Sequence, residues 1–327
     1  MFFYRRVNRG SAEFAEKYFI SGSSVVKFLE LYKRMNKKII YKSIIITLTL
    51  FIWTRVITAQ NSNSNSISQF QKNINSNFLL GVPGQRTIGN DISTFTGAVG
   101  NTLSSPFKWE LKDLYNAGGF ILISAGSFLL DDEIRKVFLK NRNKTFDKLE
   151  PVGYACGAPQ NAAAGALLIY FSGLASNNGW LRNTGLMLTE TIVVIGIIQV
   201  PARIIFGRAR PYTGYRNTSF NFFKGLEQDK ASFISGHAAI AFGISNILSH
   251  QIDHPAATAG LFSLAALTPL ARLYADRHWF SDVLIGSALG LFVSDAIINY
   301  NEKSGVSKNK FSVIPTLNGI SFCYSFN

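Results

Sequence analysis

An arginine, a histidine and an aspartate occur at close intervals in the segment Arg272–Asp282, which reads RLYADRHWFSD. His278 and Asp282 are four residues apart, so on one helix they would share a face and the carboxylate could reach the imidazole. An imidazole held by a carboxylate can act as a nucleophile or a base. The same pair also occurs as an ordinary helix-surface contact, so the rest of the chain must decide between the two interpretations.

A second segment, Arg203–Pro211, carries residue types that bind phosphate and reads RIIFGRARP. Arg203 and Arg210 are seven residues apart, which predicts that both project from one helix face before Pro211 ends the helix. Two guanidinium groups on one face suit the oxygens of a phosphate dianion. Taken alone, the segment also fits a basic cluster at a membrane boundary.

A third segment, Ser232–Gly243, reads SFISGHAAIAFG and marks the point where a loop turns into an apolar helix. The backbone N–H groups of Ser235 and Gly236 would point at an anion there, reinforced by the helix dipole. Ser235 can add a hydroxyl hydrogen bond, and His237 can supply a proton. The alternative is an ordinary helix start, in which Ser235 is only the N-cap and His237 a first-turn residue.

The three segments together hold three arginines, two histidines, one aspartate and a Ser-Gly anion cradle, each at the start or end of a predicted helix. This combination predicts a site for a phosphoryl group that needs no metal and no cofactor. The remaining histidines, His250 and His254, are followed by Pro255 and have no further ligand near them in sequence. We therefore expect them on a loop surface and predict no metal site.

The segments resemble the tripartite signature of the type 2 phosphatidic acid phosphatase and vanadium-dependent haloperoxidase superfamily, written K-x6-R-P, P-S-G-H and S-R-x5-H-x3-D. In this chain they read Arg203-x6-Arg210-Pro211, Ile234-Ser235-Gly236-His237 and Ala271-Arg272-x5-His278-x3-Asp282. The order and the internal spacing match, and the resemblance covers about residues 110–300. Arg203 replaces a lysine, Ile234 a proline and Ala271 a serine, and none of these changes removes a proton carrier.

The resemblance implies a mechanism. His278 would attack phosphorus and form a phosphohistidine, with Asp282 orienting it and holding its positive charge. His237 would protonate the departing alkoxide and then help to activate water. The equatorial oxygens would be stabilised by three arginines and the helix-start amides, namely Arg203, Arg210, Arg272, Ser235 and Gly236.

Six apolar blocks rich in Gly and Ala must position these residues. The blocks are Ala117–Leu130, Asn161–Ala175, Gly185–Val200, Gly236–Ser249, Ala256–Leu270 and Asp282–Tyr300. They lack alternating patterning, which predicts an all-α fold with a six-helix core bundle of the kind that the resemblance also implies. Asn318-Gly319 between two short alternating runs predicts a C-terminal β-hairpin within residues 301–327.

The region before the blocks has a different composition. Residues 1–59 hold 11 Lys and Arg against 3 Asp and Glu, and so carry most of the net charge of +14. A basic stretch, the apolar run 44–54 and Thr58-Ala59 are typical of a signal peptide, for which Met35 is a second candidate start. An uncleaved membrane anchor is the alternative. Residues 60–108 are predicted to be a polar, partly disordered linker, and residues 109–300 the helical domain.

These observations predict an exported, periplasmic, membrane-associated phosphatase whose active site lies on the extracytoplasmic side. The substrate would be a lipid phosphate or diphosphate of the phosphatidate, phosphatidylglycerol phosphate or isoprenyl diphosphate type. Only 16% of the residues are charged and 47% are hydrophobic, which favours a membrane surface or bilayer as partner and gives no support to nucleic acid. A vanadium-dependent haloperoxidase and a catalytically weak phosphate-binding envelope protein remain the alternatives.

Overall fold

The computed structural model describes residues 87–304 and two strands at 311–316 and 319–324. Its helices, in chain order, are α1 (Ile88–Ser104), α2 (Leu111–Ser127), α3 (Asp131–Lys140), α4 (Lys144–Gly157), α5 (Pro159–Ala175), α6 (Gly179–Phe206), α7 (Gly236–Ile252), α8 (Pro255–Tyr274) and α9 (Phe280–Lys303). Short 3-10 turns occupy Ser105–Lys108, Phe128–Leu130, Pro211–Thr213 and Gln228–Lys230.

The described region between residues 87 and 304 is mostly helical, as the apolar blocks predict. The first block falls in α2 and the 3-10 turn that follows it, and the other five fall in α5 to α9. Helices α1, α3 and α4 lie outside the predicted blocks. The division of these helices into a six-helix core and surrounding elements stays a prediction.

Helix α1 lies within the segment that was predicted to be a linker, so the helical part begins at residue 88 rather than at 109. Thr87 caps the helix by accepting a hydrogen bond from the Asn90 amide. The Asp91 carboxylate then accepts from Arg182 Nε on α6 and from the Tyr170 hydroxyl on α5, both at 2.7 Å. The sequence of α1 is polar and rich in Ser and Thr, and it forms a helix here because a buried ion pair joins it to the other helices.

Helices α6, α7 and α9 share the core. Buried apolar side chains from all three meet there, among them Met187, Ile195, Ala239, Ile247 and Ile297. Small residues permit the close approach: a Cβ added to Gly290 on α9 would lie 2.1 Å from the Ala239 carbonyl oxygen. A Cβ on Gly286 would lie 2.4 Å from the Ser235 carbonyl oxygen, so this glycine sets α9 directly against the start of α7.

Four helical stretches of the described region are long and apolar enough to cross a membrane: Asp113–Lys140, Gly179–Phe206, Pro255–Tyr274 and Phe280–Lys303. Large apolar side chains are exposed on them, including Leu122 at 74%, Leu264 at 51% and Phe292 at 53%. A protein in water rarely exposes so much apolar surface, so these helices indicate a membrane protein.

The two strands, β1 (Phe311–Thr316) and β2 (Gly319–Tyr324), pair antiparallel, with Phe311 opposite Tyr324 and Thr316 opposite Gly319. The turn residues 317 and 318 lie outside the described residues, and the C-terminal hairpin stays a prediction. The predicted leader 1–59 and most of the predicted linker, up to residue 86, also lie outside them.

Candidate active site

The first predicted segment is split by a helix end. Helix α6 stops at Phe206, and Gly207 takes the left-handed conformation, φ 51°. A Cβ at this position would lie 1.8 Å from the Asn221 carbonyl oxygen, so both the conformation and the contact require glycine. Arg203 is therefore on α6, whereas Arg210 is in the extended chain beyond it. The prediction that the two arginines share a helix face is wrong, and the loop brings them together instead.

The second segment forms the start of α7, as predicted. Ser235 is in the N-cap position, yet its hydroxyl makes no capping hydrogen bond. Its backbone N–H donates to the Asp282 carbonyl oxygen at 3.2 Å, so this amide is not free for a phosphate. Gly236 and His237 are the first two helical residues, whose N–H groups have no partner within a helix. If an anion binds at this helix start, these two amides rather than the predicted Ser235–Gly236 pair are the ones available to it.

The third segment spans the end of α8 and the start of α9. Arg272 is in the last turn of α8, and α9 begins only at Phe280. His278 therefore precedes α9 and does not share a helix face with Asp282. Its Nδ1 lies 2.7 Å from the Ser232 carbonyl oxygen. Because a carbonyl only accepts, Nδ1 carries the proton and Nε2 is the nitrogen with the free lone pair.

Asp282 has other partners, so the predicted direct contact with His278 is wrong. Its carboxylate accepts from the Ser232 hydroxyl at 2.5 Å, from the Trp279 amide at 3.0 Å and from Arg208 Nη1 at 2.5 Å. Asp282 is the third residue of α9 and caps its own helix. It acts on His278 only through Ser232, which bonds to Asp282 by its hydroxyl and to the imidazole by its carbonyl.

A buried ion cluster joins the first and the third segment to α3. Arg208 is fully buried and donates Nη2 to Asp131 at 2.6 Å, while Nη1 reaches Asp282. Asp131 also accepts from the amide and the hydroxyl of Ser281, each at 2.8 Å. The cluster thus joins the loop after α6, the start of α9 and the first residue of α3. Removing one of its charges would leave the others buried and unpaired.

A cleft of about 630 Å³ opens at the junction of the three segments. Its lining includes Arg210, His237 and Arg272, one residue from each segment. The remaining lining residues come from α4, the end of α8 and the loops around the cleft: Arg142, Asp147, Glu150, Tyr154, Gln228, Tyr274, Ala275 and Arg277. His278 is buried and is not itself among the lining residues, whereas Arg272, six residues before it in the same segment, is.

Several polar atoms of these segments are buried without a hydrogen-bond partner in the described part of the chain. They are Arg203 Nε, Ser235 Oγ, His237 Nε2 and Arg272 Nε. A buried donor without a partner costs about 1–3 kcal/mol, so orphaned donors rarely gather at one place unless a ligand satisfies them. Four such atoms, contributed by all three segments, fit an oxyanion.

Electrostatics in the cleft favour neutral imidazoles and an anionic ligand. Burial and then the charges of Arg272, Arg203 and Arg210 lower the pKa of His237 to about 4. Burial, followed by Arg210 and Arg272, holds the pKa of His278 well below its usual range. Burial also lowers the pKa of Arg210 to about 10, and nearby Arg203, Arg272 and Arg277 add to the effect. A bound phosphate dianion would offset this concentration of positive charge.

Four residues of the site were not predicted from the sequence. Arg208 and Ser232 lie inside the quoted segments, but the spacing singled out their neighbours. Asp131 lies in the polar text DDE, and Tyr154 in a segment with no helical signal. The Tyr154 ring packs on His237 at 4.9 Å between centroids, and the Arg272 guanidinium lies 5.2 Å from its centre. Only the alternation of arginines in RARP hinted that Arg208 has a separate role.

The predicted loop position is wrong for His250, which is helical, whereas His254 does lie in the two-residue loop between α7 and α8. His250 lies in the last turn of α7, 3.2 Å from Glu302, and His254 is the N-cap of α8. Among the described residues no group of three or more His, Cys, Asp or Glu side chains could hold a metal ion.

Comparison with known proteins agrees with the motifs. Residues 184–305 match the family model described as PAP2 superfamily. A lipid A 1-phosphatase from Porphyromonas gingivalis is 25% identical over 213 residues, which is 64% of this chain and 42% of that relative. The matched region thus spans less than half of the relative's length. No solved structure matches the chain significantly. The matched residues 184–305 carry all three segments, so the family model and the signature point to the same part of the chain, which is similar to the PAP2 superfamily.

Proposed function

We propose that this protein is a metal-independent phosphatase that hydrolyses a lipid phosphate or diphosphate through a phosphohistidine intermediate. The observation that carries the proposal is the set of four orphaned polar atoms that the three segments contribute, from Arg203, Ser235, His237 and Arg272, of which His237 and Arg272 line the cleft. Arg210 lines the same cleft and adds a third guanidinium. The relative named as a lipid A 1-phosphatase supports a phosphorylated lipid as the substrate class.

In the first step, His278 Nε2 attacks phosphorus and the bond from phosphorus to the leaving oxygen breaks. The Ser232 carbonyl holds the proton on Nδ1, which keeps the Nε2 lone pair available. A low pKa serves this step, since only a neutral imidazole is a nucleophile. The arginines and the amides of Gly236 and His237 stabilise the charge on the equatorial oxygens.

His237 must be protonated to donate to the leaving oxygen. In the cleft without an anion, burial and the arginine charges depress its pKa, so it is neutral near pH 7. A bound phosphate dianion places negative charge next to His237 and raises the pKa of its imidazole. Substrate binding therefore favours the protonated His237 that acts as the general acid. In the second step neutral His237 takes a proton from water, water displaces His278 from phosphorus, and inorganic phosphate leaves.

The proposed location of the protein rests on its apolar helices and on the predicted leader. We propose that six of the described helices, α2 and α5 to α9, form the core of the superfamily fold and that the protein is inserted in a bilayer. The proposed export signal in residues 1–59 would place the cleft on the periplasmic side. The partners are then a phosphorylated lipid and the membrane, with no nucleic acid.

The test is phosphate release by the purified full chain from phosphatidate, phosphatidylglycerol phosphate, an isoprenyl diphosphate and a soluble phosphomonoester. We expect release from at least one lipid and inhibition by vanadate. His278→Ala should lower kcat at least about 1,000-fold, because the nucleophile is lost. A normal rate in His278→Ala, or no release from any lipid by the unchanged protein, contradicts the proposal.

A further inference from the structure

The cleft contains two arginines that the phosphate site does not use. Arg142 and Arg277 line it together with Arg210 and Arg272. Four guanidinium groups therefore face two carboxylates, those of Asp147 and Glu150. Both carboxylates are engaged: Asp147 accepts from the Tyr274 hydroxyl at 2.6 Å, and Glu150 lies 3.7 Å from Arg272 Nη1. The positive charge of the cleft exceeds what one phosphate site requires.

Arg277 has no carboxylate at ion-pair distance in the described part of the chain. Arg135 pairs with Asp276, and Arg208 with Asp131 and Asp282. The Arg277 guanidinium instead lies 4.9 Å from the centre of the Tyr212 ring, which positions the cation without neutralising it.

The position of Arg277 is fixed by its backbone. Its N–H donates to the Arg272 carbonyl at 3.1 Å, and its carbonyl accepts from Arg210 Nη1 at 3.3 Å. The Tyr212 amide donates to the carbonyl of the preceding residue, Asp276, at 3.2 Å, which holds the ring that supports Arg277. Arg277 is also the residue directly before the nucleophile, His278. A preorganised, uncompensated cation therefore lies beside the phosphate site.

A single phosphate gives Arg277 little to bind. In the proposed mechanism the equatorial oxygens of that phosphate would bind the guanidinium groups of Arg203, Arg210 and Arg272 and the helix start at Gly236. The cleft, at about 630 Å³, falls in the size range that holds a whole small molecule rather than one oxyanion. Space and charge are both available for a further anionic group next to the first.

We propose that Arg277 binds a second phosphate group beside the one under attack, so that this site favours a lipid diphosphate over a lipid monophosphate. The inference rests on the proposed function and deepens it. In the reaction, His278 Nε2 bonds to the terminal phosphorus and the bond to the bridging oxygen breaks. The electron pair stays on the departing lipid monophosphate, whose charge Arg277 stabilises. Water then releases inorganic phosphate from the histidine.

A binding experiment tests the subsite without requiring hydrolysis. The probes are methylenediphosphonate, which cannot be cleaved at its bridge, and methylphosphonate, titrated calorimetrically against the full chain at fixed ionic strength. We expect the diphosphonate to bind at least about tenfold more tightly, as one added charge-assisted contact implies. Arg277→Gln should abolish most of that preference while leaving methylphosphonate binding within about twofold, because the carbonyl that holds Arg210 is retained.

Arg216→Gln is the matched control, since it removes an exposed arginine of the loop between α6 and α7 that does not line the cleft. It should leave both affinities unchanged. Arg277→Lys should restore part of the diphosphonate preference, because it restores the charge. Equal losses for both probes in Arg277→Gln, no loss for either, or the same loss in Arg216→Gln would overturn the inference.

Kinetics with lipids separate this inference from the proposed function. In the unchanged protein we expect a higher kcat/KM for an isoprenyl diphosphate than for phosphatidate, and in Arg277→Gln that ratio should fall about tenfold. Phosphatidylglycerol phosphate, whose two phosphates are separated by glycerol, distinguishes adjacent from distant groups and should respond less. If no lipid is hydrolysed, the phosphatase proposal fails. If lipids are hydrolysed but the ratio does not change, only the Arg277 subsite fails.

Discussion

The His278 imidazole is held by a backbone carbonyl rather than by a carboxylate. The hydrogen bond from His278 Nδ1 to the Ser232 carbonyl sets the tautomer of the imidazole. The Ser232 hydroxyl donates to Asp282, so Asp282 positions the imidazole through Ser232. A carbonyl carries no net charge, so it orients the imidazole without raising the pKa as far as an adjacent carboxylate would. The proposed nucleophile therefore stays neutral near Arg210 and Arg272.

This geometry predicts the behaviour of Asp282→Asn. The change leaves Arg208 with one carboxylate instead of two and weakens the bond to Ser232, so both the melting temperature and kcat should fall. The acidic limb of the pH profile of kcat/KM should not move, because Asp282 does not set the pKa of His278. A shift of that limb by a full pH unit would instead indicate a direct aspartate–histidine pair.

His237 predicts a pH dependence of stability. Its pKa is about 4 in the folded protein, so between pH 6.5 and 4 the unfolded chain binds a proton that the folded chain does not. Stability is therefore fully present above about pH 6.5 and is lost as the pH falls toward 4. The melting temperature of His237→Gln should fall less steeply than that of the unchanged protein from pH 7 to pH 5. Parallel curves for the two proteins would contradict the assignment.

At the scale of elements, the apolar blocks made the long helices predictable, because helices with apolar faces all round leave a plain signal. Helices α1, α3 and α4 were not predictable in this way. The text of α4 contains Pro151 and four charged residues, and its helix is fixed by contacts such as the bond from the Thr268 hydroxyl to the Gly153 carbonyl. Propensity is a weak signal when tertiary contacts decide.

The candidate site, like the fold, was predictable from the sequence only in part. Spacing singled out Arg203, Arg210, His237, Arg272 and His278, and three of them, Arg210, His237 and Arg272, line one cleft. What spacing could not show is where helices begin and end. Gly207 ends α6, so Arg210 lies outside that helix. Helix α9 begins only at Phe280, so His278 precedes it. Element boundaries depend on caps and on partners far away in sequence, such as Asp131.

The packing of α4 predicts a contrast between two glycines. A Cβ at Gly153 would lie 2.5 Å from the Leu267 carbonyl oxygen and 2.7 Å from Ala271 Cβ, whereas one at Gly165 on α5 meets nothing within 4 Å. Gly153→Ala should displace α4 from α8, move Tyr154 away from His237 and cost about 1–3 kcal/mol with a loss of activity. Gly165→Ala should be neutral or stabilise by up to about 1 kcal/mol. Thermal unfolding and phosphate release check both, and similar effects from the two would show that α4 is not tightly packed.

At the scale of the whole molecule, charge and apolar surface separate along the chain. The basic excess belongs mainly to residues 1–59, whereas the helical part exposes large apolar side chains on candidate spans. An anchor in the leader and insertion of the helices would both hold the protein at a membrane. The two arrangements differ in what happens when the leader is removed.

We expect the helices themselves to be inserted. A protease site placed within Asn61–Ser66 allows the leader to be cut from the folded protein in isolated membranes. After cleavage and a high-pH carbonate wash, the C-terminal product should stay in the membrane pellet and enter solution only with detergent. The reason is that Leu122, Leu264 and Phe292 lie on helices long enough to span, and their exposure to water would be costly. Release of the cleaved product by carbonate alone would mean that the leader is the anchor and that these helices lie against the surface. The uncut protein in the same wash is the control for the leader's own contribution.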